Sequence, residues 1–135
     1  MRSEARQTVI PHLNALISAQ FSDFDVFYEN GPAVDFANQT RPFVMIEIQV
    51  GDGVQASLEQ KPMVRYLADV VICAFVKMGE GTDRQEALLD AAGKDLRTRY
   101  LGELVMLAPK SYRPREYKGF YGKAIRVPFT FDEFS

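Results

Sequence analysis

Cysteine, histidine and tryptophan are nearly absent from this 135-residue sequence, which has one cysteine, one histidine and no tryptophan. A single cysteine excludes a disulfide within the chain, and one cysteine with one histidine cannot supply the usual four-ligand zinc set. Cys73 is flanked by Val71, Ile72, Ala74 and Phe75, so we interpret it as a buried core residue rather than a nucleophile. The composition therefore predicts no metal and no cofactor.

The sequence also lacks an excess of one charge sign and lacks a long apolar run. The formal net charge is −2, so the whole molecule has no field that would capture DNA or an anionic membrane regardless of sequence. No stretch approaches the roughly 18 apolar residues that span a bilayer, and the first residues form no signal-peptide core. We expect a single domain over residues 1–135, kept in the reducing cytoplasm and not bound to membrane.

The first segment with the apolar spacing of an amphipathic helix runs from Glu4 to about Ala19. Ser3 can cap its start. Pro11 removes one backbone hydrogen bond and predicts either a kink or a separate first turn. The apolar positions of this helix are Val9, Leu13, Leu16 and Ile17.

A second helix is predicted from Asp83 to Tyr100. Thr82 and Gln85 have the spacing of a capping box, and Gly102 can end the helix. Its predicted buried positions are Leu88, Leu89, Ala92, Leu96 and Tyr100.

Alternation of apolar and polar residues predicts strands before the second helix. A short strand with Phe24, Val26 and Tyr28 ends at the turn Asn30-Gly31-Pro32, and Ala33 to Pro42 is predicted to be a loop. Phe43 to Val50 is predicted to form a hairpin with Val54 to Glu59, because Gly51-Asp52-Gly53 can supply the positive φ angles of a tight turn. Met63 to Lys77 is apolar on both faces, including Leu67, and is predicted to be a central strand covered by helices.

Three closing strands are predicted at Leu104–Leu107, Ser111–Tyr117 and Phe120–Phe131, with Lys118-Gly119 as a turn. Pro128 lacks a donor, so its strand should lie at an edge or its partner should stop there. The predicted fold class is α+β, a mostly antiparallel sheet with two helices packed on it, in the order α-β-β-β-β-α-β-β-β.

Candidate catalytic groups are few. His12 and Cys73 are far apart in sequence, and no third group is indicated that would orient such a pair. Gly79-Glu80-Gly81 precedes a helix but lacks phosphate-loop spacing, so we interpret it as a strand break. We expect the protein not to be an enzyme.

The segment from Lys110 to Lys123 interleaves basic residues with aromatic ones. It can stack bases and neutralise phosphates as a single-strand binder does, or it can be a plain hairpin with aromatic residues packed across strands. A third interpretation is a protein interface, since tyrosine and arginine are enriched at binding hot spots.

Two segments resemble the tail terminator family of long-tailed phages. One is Gly81-Thr82-Asp83-Arg84-Gln85-Glu86-Ala87-Leu88, and the other is Lys123-Ala124-Ile125-Arg126-Val127-Pro128-Phe129-Thr130-Phe131. With the order of elements, the similarity spans nearly the whole chain. The resemblance implies a protomer of a hexameric ring that caps the tail tube, ends tube polymerisation and presents a surface to head-completion proteins.

Membership of that family implies several partners and a location. The partners would be other copies of the chain, the major tail tube protein and a head-completion or neck protein, with DNA able to pass through the ring without specific binding. The protein would belong to the virion tail and to the host cytoplasm during assembly. A head-tail connector or another minor tail protein has similar size and chemistry, and a nucleic-acid-binding module that uses the 110–123 segment is a further alternative.

A ring subunit needs two different complementary flanks. The candidate interface residues are Gln55, Glu59 and Lys61 beside the predicted hairpin, Tyr112, Arg113, Arg115, Tyr117 and Lys118 in the basic-aromatic segment, and Asp35, Phe36 and Arg41 in the 33–42 loop. The loop residues are predicted to order on contact with a tube or neck protein.

Overall fold

The computed structural model describes residues 2–28, 38–55, 63–79, 81, 83–97, 100–101 and 104–134. Within these ranges the elements follow the order α1 (Arg2–Gln20), β1 (Asp25–Tyr28), β2 (Phe43–Gln55), β3 (Met63–Lys77), α2 (Asp83–Leu96), β4 (Tyr100–Leu101), β5 (Leu104–Met106), β6 (Lys110–Tyr117) and β7 (Phe120–Phe134).

The described strands form one sheet in the order β1-β2-β3-β7-β5-β4, and β6 pairs with the first half of β7. β1 runs parallel to β2, and the other pairings are antiparallel. β3 and β7 pair at fifteen consecutive positions, from Met63 opposite Phe134 to Lys77 opposite Phe120. The predicted class, a mostly antiparallel α+β fold with two helices, is confirmed.

Alternate side chains of the central strands separate into two clusters on opposite faces of this sheet. On the helix face, residues such as Ile72 pack with buried residues of α1 and α2, including Leu13 and Leu88. On the other face, which we call the open face, Cys73 packs in a smaller cluster with Phe43, Phe75, Phe120 and Ala124. β3 is therefore central as predicted, and both described helices lie on one of its two faces.

α1 is one continuous helix, so the predicted separate first turn is wrong. It begins at Arg2, which places Ser3 inside the helix and not at its cap. Pro11 is exposed, whereas Val9, Leu13 and Ile17 are buried. Burial of these apolar side chains outweighs the loss of the hydrogen bond that Pro11 cannot make, about 3 kcal/mol. Neither described helix is long and apolar enough to cross a membrane.

β2 is one continuous strand where the sequence predicted a hairpin. After a register shift between Val50 and Gly53, β2 continues to pair with β3 as far as Gln55. Gly51 has no positive φ, and a Cβ there would lie 3.1 Å from the Leu67 carbonyl oxygen. The glycines therefore permit a bulge with close backbone approach rather than a chain reversal. Residues 56–59 of the predicted second arm lie outside the described residues.

α2 ends at Leu96, so the predicted extension to Tyr100 is wrong. Tyr100 instead opens β4, and its side chain is 76% exposed. With β2 unbroken and β4 added, the order becomes α-β-β-β-α-β-β-β-β. Gln85 is fully buried, and its Nε2 donates to the Ala74 and Tyr121 carbonyls at 2.7 Å each, which ties α2 to β3 and β7. The predicted caps Thr82 and Gly102 and the turn at 30–32 lie outside the described residues.

Pro128 lies in β7, a central strand, so the predicted edge position is wrong. The alternative prediction, that the partner strand stops at Pro128, is confirmed on the side of β7 that pairs with β5 and β6. β5 ends at Met106 opposite Phe129, and β6 begins at Lys110 opposite Arg126. The Pro128 carbonyl accepts from the Leu107 N–H, and the N and O of a strand residue point to the same side. The missing donor of Pro128 therefore faces the gap between β5 and β6.

Substitution of Gly122 by alanine is expected to destabilise the fold. The added Cβ would lie 2.6 Å from the Phe75 ring and 2.9 Å from the Cys73 Sγ, and the Phe75 ring is itself stacked on Phe43 with centroids 4.8 Å apart. Overpacking of this kind costs about 1–3 kcal/mol, measured by denaturant unfolding. The cost should fall in a Phe75→Leu background, because the clashing ring is gone. An equal cost in both backgrounds would contradict the packing explanation.

Candidate functional site

One row of side chains crosses the open face near β4. The register places Tyr100 opposite Val105, Val105 opposite Thr130, and Thr130 opposite Leu67. Opposed residues project from the same face of a sheet. Leu107 lies beside this row on the same face, because its N–H donates to the carbonyl of Pro128, two residues before Thr130. We call these five residues the open-face strip.

The strip is an exposed apolar surface. Leu67 is 56% exposed, Tyr100 76% and Leu107 39%. Large apolar side chains that share one exposed surface indicate an interaction site more often than scattered ones do. The two most exposed members, Leu67 and Tyr100, are residues that the sequence predicted to be buried.

Ion pairs bound the open-face strip on both sides. The Arg65 guanidinium donates to both Asp132 carboxylate oxygens, at 2.8 and 3.1 Å, and this contact lowers the pKa of the Asp132 carboxyl. On the other side, the Arg126 guanidinium lies 3.6 Å from the Asp69 carboxylate. An apolar centre with a charged border is the usual organisation of a protein–protein contact.

The predicted basic-aromatic segment forms the β6–β7 hairpin. Its turn residues Lys118 and Gly119 have φ angles of 46° and 87°, the positive pair that a two-residue turn between antiparallel strands requires. The predicted turn is confirmed. Tyr117 pairs with Phe120 beside the turn, and its side chain lies outside the described residues.

Part of this hairpin folds inward against the open-face cluster. Arg115 lies over the Tyr112 ring, 5.8 Å from its centroid, and its guanidinium is 3.6 Å from the Glu47 carboxylate. Glu47 is on β2, two strands beyond β7, so the sheet curls to bring these groups together. Arg115 and Tyr112 are both half-buried, which supports the plain-hairpin interpretation for these two residues, while Arg113 remains exposed.

A cleft lies beside this hairpin on the helix face, between α2 and β6–β7. Its volume is about 480 Å³. Apolar groups of Leu89, Pro109 and Ile125 line it, and so do four cationic and two acidic side chains, Lys94, Arg97, Lys110, Lys123, Glu86 and Asp90. Lys94 pairs with Asp90, and Lys123 pairs with Glu86. The cleft is therefore lined by apolar groups and by charged side chains of both signs.

Arg41, predicted as an interface residue, holds the chain entering β2. Its guanidinium donates to the Ser22 carbonyl at 2.6 Å and lies 3.5 Å from the Asp25 carboxylate. Gln39 donates to the same carboxylate and to the Arg41 carbonyl. These contacts give Arg41 an intramolecular role in anchoring β1 beside β2.

The other predicted interface residues lie outside the described residues, or only their backbone is described. Gln55 is at the end of β2 opposite Val64, and its side chain is not described. The remaining ones outside the described residues are Asp35, Phe36, Glu59 and Lys61.

The structure does not bring His12 and Cys73 together. His12 hydrogen-bonds Asp95 and so joins α1 to α2 on the helix face, whereas Cys73 lies in the open-face cluster. Burial raises the pKa of the Cys73 thiol to about 12, which keeps it protonated and disfavours a nucleophilic role. Within the described residues, no group of three histidine, cysteine or acidic side chains could hold a metal ion.

The sequence did not predict the open-face strip, because the alternation of residues in a strand does not show what covers the second face when both faces are apolar. The available signal was Leu104-Val105-Met106-Leu107, a short strand that is apolar on both sides. Met106 fills the helix-face core, and its neighbours Val105 and Leu107 then require another covering surface.

Comparisons with known proteins support the fold. No family model matches the chain, and no curated protein matches it. A solved structure of a protein that carries no functional name matches with a TM-score of 0.65 at 10% identity, over 100% of this chain and 97% of that one. At that identity the likeness extends to the fold alone.

The Cys73 thiol is expected to resist alkylation by iodoacetamide at mildly alkaline pH in the folded protein and to react on unfolding. Its pKa is raised from 9.0 to about 12, so the neutral form favours the folded state. The resulting stability is complete below pH 9 and is lost as the pH rises from about 9 towards 12. Cys73→Ala should remove this part of the alkaline loss of stability, measured by urea unfolding. Rapid alkylation of the native protein would contradict this assignment.

Proposed function

We propose that the protein is a non-catalytic assembly subunit of a phage or prophage tail. It forms a ring, hexameric in the resembling family, that caps the tail tube, ends its polymerisation and presents a surface for head attachment. Its partners are further copies of itself, the tube protein and a head-completion or neck protein. The observation that carries the proposal is the open-face strip, an apolar sheet surface bounded by ion pairs.

The strip supports an assembly role because of its place in the fold. Leu67 is in the middle of β3, and Tyr100 and Val105 are in the short strands at the far edge. Leu67 and Tyr100 are exposed, and nothing within the described residues covers this end of the open face, whereas β6 and the aromatic cluster fill the other end. Covering such a surface with a partner removes apolar area from water, worth about 25 cal/mol per Å² before the costs of association.

The tail assignment rests on the resemblance to tail terminators. The resembling segments correspond to the start of α2 and to much of β7, and these two elements pack against each other. They therefore belong to the centre of the fold rather than to separate surface loops. The architecture of the described residues is compatible with a small α+β ring protomer.

Replacing Leu67 and Tyr100 together by serine is expected to abolish self-association or tube capping while the chain stays folded. Both side chains are largely exposed, so the free energy of unfolding should change by less than about 1 kcal/mol. Light scattering gives the mass of the assembly, and circular dichroism checks the fold. Met78→Ser is the matched control, because Met78 is 54% exposed but lies outside the strip. If only the Met78→Ser control lost assembly, or if neither variant did, the open-face strip would not be the assembly surface.

Purified tail tubes provide the test of the specific role. The wild-type protein is expected to bind at one end of each tube, seen by negative-stain imaging, and to stop further growth when tube protein is added. Binding to neck components without tube capping would indicate a connector. A monomer that ignores both tubes and neck components would overturn the tail proposal and leave the fold unaffected.

A further inference from the structure

The first helix presents an outward surface without charged side chains. Residues 7–22, which include most of α1, contain no lysine, arginine, aspartate or glutamate. In α2, by contrast, six of the fourteen residues are charged. A helix packed on a core normally places charged residues on the side away from it. The two helices complete the same core, but only α2 has the usual charged exterior.

The exposed positions of α1 lie on the side of the helix opposite its buried residues. Val9, Leu13 and Ile17 face the core. The exposed positions from the proline onward are Pro11, Asn14, Ala15, Ser18, Ala19 and Gln20. We call these six residues the neutral face of α1. Charged residues are depleted at the centres of protein interfaces, because an unpaired charge is costly to remove from water, so a partner can cover this face without that cost.

The neutral face and the open-face strip lie on different sides of the molecule. α1 packs against β1 and β2 on the helix face, whereas the strip crosses β3, β7, β5 and β4 on the open face. β1 and β4 are at opposite ends of the sheet order. Two different surfaces on opposite sides of a subunit are what a head-to-tail contact between identical copies needs. A contact of strip with strip would instead close a two-fold dimer.

The two surfaces are similar in length. The strip crosses four adjacent strands, which at about 4.8 Å between neighbours span about 14 Å. From Pro11 to Gln20 an α-helix rises about 14 Å at 1.5 Å per residue. The short side chain of Ala15 near the centre of this face leaves room for the larger side chains of Leu67 and Tyr100. A helix laid across the strip can therefore cover it from end to end.

The polar groups of the two surfaces are also compatible. The Tyr100 and Thr130 hydroxyls need hydrogen-bond partners when they are buried, and the side chains of Asn14, Ser18 and Gln20 are neutral donors and acceptors. The charges at the border of the strip are already held in ion pairs on their own chain. The neutral face would therefore add no charge to the apolar centre of the contact.

We infer that the neutral face of α1 in one copy packs on the open-face strip of the next copy. This contact rests on the proposed ring and identifies the surface of the neighbouring subunit that covers the strip. Each subunit then offers its strip to one neighbour and its α1 to the other. The contact is apolar and uncharged at its centre, so it persists as the salt concentration rises.

Thiol crosslinking of rings, formed alone or on tube ends, tests this contact. Ser18→Cys places a thiol on the neutral face, and Thr130→Cys places one on the strip, while the native Cys73 is buried. A short bismaleimide is expected to leave each singly substituted chain uncrosslinked. It should join the two chains, assembled together as an equimolar mixture, into covalent dimers. A chain with both substitutions should give a ladder of products that ends at the ring size.

Matched variants of α2 control for chance contact and for charge. Ala87 is exposed on α2, so a chain with Ala87→Cys and Thr130→Cys is expected to give no ladder. Ala15→Arg, added to the chain with Ser18→Cys and Thr130→Cys, should lower the yield of crosslinked chains at least about tenfold, because the guanidinium would be covered without an acidic partner. Ala87→Arg should leave that yield unchanged. Circular dichroism checks that the arginine variants are folded, as expected at exposed helix positions.

Three outcomes would overturn the inference. Crosslinking of the Thr130→Cys chain with itself would mean that one strip contacts another. Rings that give no ladder from the Ser18 and Thr130 pair, or an equal ladder from the Ala87 control, would make the α1 contact wrong while the ring proposal stands. A wild type that stays monomeric with and without tubes would overturn the ring proposal itself and the contact with it.

Discussion

The fifteen-position pairing of β3 with β7 is the contact on which the rest of the fold depends. β2 extends the sheet from β3, while β5 and β6 share the other side of β7 end to end. The two strands are far apart in sequence, so their pairing closes a long loop that contains α2. The register of this pairing determines which side chains face the helices, because a shift by one residue would move every side chain of the shifted strand to the other face of the sheet. Gly122 and Gln85 both act at this contact, the first by leaving room for Phe75 and the second by joining α2 to both strands.

The same register makes the two faces of the sheet unequal. α1 and α2 complete the helix face with a continuous apolar core. On the open face, the curl of the sheet brings Arg115 to Glu47 and covers the aromatic cluster near the hairpin. This curl does not cover the other end, where Leu67 and Tyr100 remain exposed. The two ends of the open face are covered unequally because two different strands pair with β7. The longer strand β6 covers the end next to the first half of β7, whereas only the short strands β4 and β5 border the end next to the second half.

Local sequence patterns predicted much of this architecture. Alternation over Met63 to Lys77 gave the central strand, and the apolar spacing of Leu88, Ala92 and Leu96 gave α2. The errors occurred where long-range contacts override local preference. Gly51 favours a turn locally, but pairing with β3 carries β2 past it. Pro128 favours an edge locally, but the gap between β5 and β6 removes the need for its donor.

The interaction surfaces were less predictable than the fold for a related reason. Arg41 and Arg115 look like free surface cations in the sequence, yet the first anchors β1 and the second reaches across the curled sheet. Leu67 looks like a core residue, yet nothing described covers it. The sequence shows which kinds of group a side chain can bind. The register and the curl of the sheet determine which of those groups lies close enough to bind it.

The open-face strip would contribute affinity to a contact rather than direction. Burial of Leu67 and Tyr100 removes apolar area from water without strong dependence on orientation, so the strip alone would permit several arrangements of two copies. The ion pairs of Arg65 with Asp132 and of Arg126 with Asp69 border the strip. Such charged borders disfavour arrangements in which like charges meet, so affinity and geometry would come from different parts of the same surface.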